Sequence, residues 1–88
     1  MVFLAFEPSA AADAISIAKQ IDCSVWVGSD AISEDEHTRL TNTGTDVTRF
    51  AYPLSHASHD VIQDALATVQ EHHPKEVIWL QHKFEPPY

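Results

Sequence analysis

The chain has 88 residues, 44% of them hydrophobic, with 13 acidic and 5 basic residues and a formal net charge of −8 when histidine is neutral. This length supports one domain, and this hydrophobic content is typical of a folded chain rather than a disordered one. The excess of carboxylates disfavours direct binding to nucleic acid or to an anionic membrane surface, and the presence of only two glycines argues against a glycine-rich phosphate loop.

The first strand–helix unit lies in residues 2–28. An apolar run predicts a buried strand over Val2–Phe6. Ser9 is expected to cap a helix over Ala10–Ile21, because apolar residues recur there at helical spacing. A second apolar run predicts a strand over Ser24–Gly28.

The second unit is shorter and more polar. Ser33 and Glu36 match a capping box, which predicts a short helix over 34–41. A third strand is predicted over Val47–Tyr52, and Pro53 ends it. The poor alternation of this strand indicates a position at the edge of the sheet.

The last unit repeats the pattern. Ser55 or Ser58 is expected to cap a helix that runs to about His72, and a fourth strand is predicted over Glu76–His82. We place a single α/β domain at 1–84 and an extended C-terminal tail at 85–88.

The predicted element order is β-α-β-α-β-α-β. This alternation indicates a four-stranded, mostly parallel sheet with helices packed on its faces. The alternative is a mixed sheet of the α+β class, in which the short second helix is a loop. Two strand orders fit, 2-1-3-4 and 3-2-1-4, and the polar third strand favours the second.

In an open parallel sheet, ligands bind beyond the carboxyl ends of the strands. This rule predicts that a set of polar residues lies together at that rim of the sheet: Glu7, Ser9, Ser29, Asp30, Ser55, His56, His59 and His82. His56 and His59 are three residues apart, so they could bind a metal together with Asp30 or Glu7. A small metal-binding or hydrolytic domain built on these four residues is therefore one candidate function. Exposed loop residues without a function are the more common outcome for such a pattern.

Four acids, Asp30, Glu34, Asp35 and Glu36, precede the first base of this region, Arg39. Acids favour the start of a helix through its dipole, and they also suit a basic partner surface. We expect a protein-binding domain, not an enzyme, with these four acids at the contact and no cofactor. Immunity proteins, antitoxins and phage inhibitors of defence nucleases share this size and charge, so carboxylates could mimic nucleic-acid phosphates. A homodimer formed through the third strand or the second helix is a further alternative.

The sequence also predicts the cellular compartment of the protein and the burial of its two tryptophans. Cys23 is the single cysteine, so no internal disulfide exists, and a reducing cytoplasmic compartment is expected. The apolar N-terminal run is too short for a membrane span and lacks a basic lead-in, so no signal peptide is expected. Trp26 and Trp79 lie inside predicted strands, where burial in the core is the usual outcome.

Overall fold

The computed structural model describes residues 1–81 of the chain. In chain order the elements are β1 (Val2–Ala5), α1 (Pro8–Ala18), β2 (Ser24–Val27), α2 (Glu34–Asn42), β3 (Val47–Arg49), α3 (His59–His72) and β4 (Ile78–Leu80). The predicted α/β alternation is confirmed. His82 and the predicted tail at 85–88 lie outside the described residues.

The four strands form one sheet in the order β3-β2-β1-β4. All three strand pairs are parallel, with Phe3 opposite both Val25 of β2 and Trp79 of β4. The order 3-2-1-4 is therefore correct, and the mixed-sheet alternative does not occur in residues 1–81.

The helices divide between the two faces of the sheet. Ala11, Ala14 and Ile15 of α1 and Leu40 of α2 share one core cluster, whereas Ala65 and Val69 of α3 belong to the other. Parallel crossovers are right-handed, so the reversal of direction from β3 back to β4 sends α3 to the opposite face. Successive strand residues supply the two clusters alternately because their side chains point to opposite faces.

Helix α1 begins two residues earlier than expected. Pro8 occupies its first turn, Glu7 is the cap residue without a side-chain hydrogen bond, and Ser9 is exposed within the helix. The prediction that Ser9 caps this helix is wrong, because proline, with its fixed φ and no N–H, suits the first helical position and starts the helix at Pro8. The helix ends at Ala18, which leaves Ile21 exposed.

The other two helices have the expected serine caps. The Ser33 hydroxyl accepts a hydrogen bond from the Glu36 backbone N–H at 3.1 Å. Ser58, the second of the two candidates, accepts from the Val61 backbone N–H at 3.4 Å. Helix α2 buries only Leu40, so packing holds it less firmly than the other helices.

The two edge strands are shorter than predicted, and within residues 1–81 each of them is paired on one side only. β3 keeps three residues of Val47–Tyr52, and β4 keeps three of Glu76–His82. The edge position expected for the third strand is confirmed. Within residues 1–81, no helix has both the length and the apolar character needed to cross a membrane.

Candidate functional site

Asp30 ties the end of β2 to the loop that precedes α3. Its carboxylate accepts hydrogen bonds from the Leu54 backbone N–H at 3.1 Å, from the Ser55 backbone N–H at 3.3 Å and from the Ser55 hydroxyl. Burial alone would raise the pKa of Asp30, but the hydrogen bonds from the Ser55 side chain and from the backbone lower it below its usual value. Asp30 thus has a structural role at this rim.

Gly28 makes this close approach possible. A Cβ atom at position 28 would lie 2.9 Å from both the Cβ and the backbone nitrogen of Leu54, and 3.0 Å from Oδ1 of Asp30. Leu54 is fully buried under α3 and has little freedom to withdraw. The absence of a side chain at Gly28 therefore allows the end of β2 to lie this close to the loop that carries Leu54 and Ser55.

The metal candidates occupy different environments. Glu7 is half-buried at the start of α1, and its backbone N–H donates to Oε1 of Gln81 at 3.1 Å. His56 and His59 are exposed on the loop before α3 and on its first turn. Residues 1–81 bring together no group of three or more histidine, cysteine or acidic side chains that could hold a metal ion. The metal-binding hypothesis therefore rests on the sequence pattern alone.

We call Glu34, Asp35 and Glu36, the first turn of α2, the acidic turn. The Glu34 side chain is 87% exposed, and its carboxylate lies 3.7 Å from the guanidinium of Arg49. The carboxylate of Glu36 lies 3.7 Å from the guanidinium of Arg39. These contacts leave Asp35 as the acid of this turn without an ion pair among the described residues.

Arg49 is held in place by backbone groups as well as by charge. Its Nε donates to the carbonyl of Ile32 at 2.9 Å, and one terminal nitrogen donates to the carbonyl of Ser29 at 2.8 Å. The side chain is only 18% exposed. Arg49 therefore fixes the approach to α2, while its charge partly offsets the acids that the sequence analysis grouped together.

A partly buried aromatic and imidazole cluster, which the sequence did not indicate, lies at the other end of the sheet around the buried Trp26. The Trp26 indole Nε1 donates to Nε2 of His73 at 3.4 Å, and the rings of Trp26 and His72 are 5.3 Å apart. Nδ1 of His73 contacts the carboxylate of Glu76. The adjacent histidines at the end of a helix were the available signal, but their partner Trp26 is distant in sequence.

The two tryptophans and the cysteine named in the sequence analysis differ in their burial. Trp26 is buried, as expected, but Trp79 is 56% exposed, so its predicted core position is wrong. Neither α1 nor α2 extends over β4, which leaves the indole uncovered. Cys23 is buried, and this burial raises the pKa of its thiol, which keeps the thiol protonated and poorly reactive.

An open groove of about 270 Å³ separates α1 from β4 and contains the exposed indole. Apolar side chains dominate its lining, and Asp13 contributes a carboxylate at its border. Two features of the described surface are thus available to a partner: the acidic turn on α2 and the apolar groove beside Trp79. No family model, no curated protein and no solved structure matches this chain.

Proposed function

We propose that the protein is a binding domain that occupies a basic surface of a larger protein partner. The observation that carries this proposal is the charge of the chain, 13 acids against 5 bases, together with the exposed acidic turn. A net charge of this size steers oppositely charged surfaces toward each other and speeds association. The same charge repels phosphates, so we propose no direct contact with nucleic acid.

Helix α2 suits a contact role because most of it does not serve the core. It buries Leu40 alone, yet the Ser33 cap and the Arg49 hydrogen bonds hold its first turn in a defined position. A preorganised acidic turn loses little side-chain and backbone freedom when a partner binds. Asp30, which the sequence grouped with this turn, is instead hydrogen-bonded to the loop that precedes α3.

The finer form of the proposal is an inhibitor that mimics nucleic acid. Carboxylates of the acidic turn would stand where phosphates lie in the basic channel of a nucleic-acid-processing partner, as in immunity, antitoxin or phage anti-defence proteins. We place this activity in the cytoplasm, because a single buried cysteine suits a reducing compartment.

A pair of charge-matched variants tests the proposal. The first carries Glu34→Gln, Asp35→Asn and Glu36→Gln, and the control carries Asp60→Asn, Asp64→Asn and Glu71→Gln on α3. Each variant removes three exposed or half-exposed carboxylates, so the change in net charge is the same. All three acids lie in the first turn of α2, whereas only Asp60 lies in the first turn of α3, so circular dichroism must first show that both variants keep their helices. Affinity capture from lysate of the source organism would identify the partner, and calorimetry with the purified partner would measure each affinity.

We expect the α2 variant to bind at least about tenfold more weakly than the control, and wild-type binding to weaken as salt rises. Equal losses in both variants would show that only total charge matters and would remove the acidic turn from the proposal. Unchanged affinity in the α2 variant would contradict the charge-mimic function.

A further inference from the structure

Among residues 1–81, nothing pairs with the outer edge of β4, and the exposed side chains there are apolar. Val77 is 65% exposed, Trp79 56% and Leu80 45%. β4 pairs with β1 on one side only, so its other side is a free sheet edge in the described structure. Exposed apolar edge strands invite pairing with another strand.

The opposite edge of the sheet is protected in the usual way. β3 carries Thr48 and Arg49, and α2 packs against it. Charged residues and a covering helix both discourage pairing at an edge. The segment from Val77 to Leu80 has no charged residue and no proline. The two edges therefore differ, and β4 is the one suited to accept a further strand.

The hydrogen bonds to β1 define which β4 backbone groups are free. The Val77 carbonyl accepts from the Val2 N–H at 3.0 Å, and the Gln81 N–H donates to the Leu4 carbonyl at 3.0 Å. Backbone groups of alternate strand residues point to the same side, so Trp79 also turns its N–H and carbonyl toward β1. The corresponding groups of Ile78 and Leu80 point outward.

We propose that β4 pairs antiparallel with β4 of a second copy, so that Trp79 lies opposite Trp79 of that copy. This register places Ile78 opposite Leu80 at both ends of the contact. Each of those two pairs exchanges both of its outward backbone hydrogen bonds, and Trp79 occupies the closely spaced position without hydrogen bonds. The two indoles then lie on the same face, next to the groove under α1.

The exposed area suits a weak, reversible dimer. Ile17, Val77, Trp79 and Leu80 together expose roughly 400 Å² in each copy, by ordinary side-chain areas. Two copies would bury at most about 800 Å² of side-chain surface, which is less than the ~1,000 Å² of a stable interface and is compatible only with a weak, transient contact. The backbone pairing adds to this, and we expect a dissociation constant on the order of 10–100 µM.

Charge acts against this dimer only at long range. The paired segment is neutral, and Glu76 at its start is already bound by the terminal ammonium of Met1 and by His73. Each copy still carries −8 overall, so salt should strengthen the association by screening the repulsion. Salt should weaken binding to a basic partner through the acidic turn, whereas it should strengthen the dimer. Either proposal can therefore be contradicted without affecting the other.

Sedimentation velocity on the 88-residue chain tests the dimer over about 1–500 µM at low and moderate salt. We expect a dimer that dissociates on dilution and whose dissociation constant falls several-fold as salt rises. Trp79→Lys should abolish it, whereas Thr48→Lys on the β3 edge should not. Leu80→Pro removes an outward N–H, so this variant should sediment as a monomer, and circular dichroism should show that it is folded.

Disulfide trapping tests the register in a Cys23→Ser background. Trp79→Cys should form an interchain disulfide readily, because the two Cα atoms approach to about 4.5–5.5 Å in this position. Val77→Cys should not, since Gln81 lies opposite it. A chain that is monomeric at all concentrations, or a dimer that survives Trp79→Lys, would overturn the proposal. A dimer that appears only after deletion of residues 82–88 would identify that segment as the occupant of the edge and would also overturn it.

Discussion

The indole Nε1 of Trp26 donates a hydrogen bond to Nε2 of His73, 47 residues further along the chain, at 3.4 Å. An indole N–H can only donate, so Nε2 is the unprotonated nitrogen and Nδ1 donates its proton to the Glu76 carboxylate. This arrangement links β2, the end of α3 and the approach to β4. It satisfies the polar atom of the largest aromatic side chain in its core cluster.

Removal of this acceptor should destabilise the fold. We expect His73→Ala to lower the free energy of unfolding by about 1–3 kcal/mol, because the indole N–H is left without a partner in a largely buried position. His72→Ala is the matched control, since His72 contacts the same ring without a hydrogen bond to it, and should cost less. Urea unfolding followed by circular dichroism measures both, and equal costs would contradict the role of the hydrogen bond.

Asp30 should make stability depend on pH in the acid range. Its folded-state pKa is below the unfolded value, so its contribution is present above the unfolded pKa and is lost as pH falls through the folded pKa. We expect Asp30→Asn to cost about 1 kcal/mol at pH 7, a modest value because water screens this exposed carboxylate.

The difference between wild type and Asp30→Asn should shrink as the pH falls below about 4, where the unfolded carboxyl begins to take up its proton. Urea unfolding of both proteins from pH 7 to pH 3 provides the measurement. A difference that stays constant over this range would show that ionisation of Asp30 does not stabilise the loop.

Two serines at helix starts should respond differently to the same substitution. Ser33→Ala should lower stability by about 1 kcal/mol, because the Glu36 backbone N–H loses its acceptor. Ser9→Ala should be neutral or slightly stabilising, because Ser9 lies inside α1 and alanine is the better helix former. Thermal unfolding of both variants checks this contrast, and a similar loss in both would restore a capping role to Ser9.

Local patterns determined most of the fold. Apolar runs of strand length and helical spacing of apolar residues indicated the seven elements, and Ser33 started α2 where its side chain could reach the first turn. The pattern of elements left two strand orders open, and the polar third strand favoured the order 3-2-1-4 that the structure has. These features depend on interactions among neighbours in sequence, or on chirality that every chain shares.

Placement of the helices over the sheet was decided by the tertiary structure. Within residues 1–81, three helices cover a four-stranded sheet, two on one face and one on the other, and part of the edge strand β4 is not covered by them. Trp26 in β2 is buried by this arrangement and Trp79 in β4 is exposed, although both lie in similar apolar runs. Asp30 likewise resembles its acidic neighbours in sequence, and only the approach of Leu54 and Ser55 gives it a structural role. Burial and long-range hydrogen bonds depend on which distant segments meet, and the local sequence pattern does not indicate which segments these are.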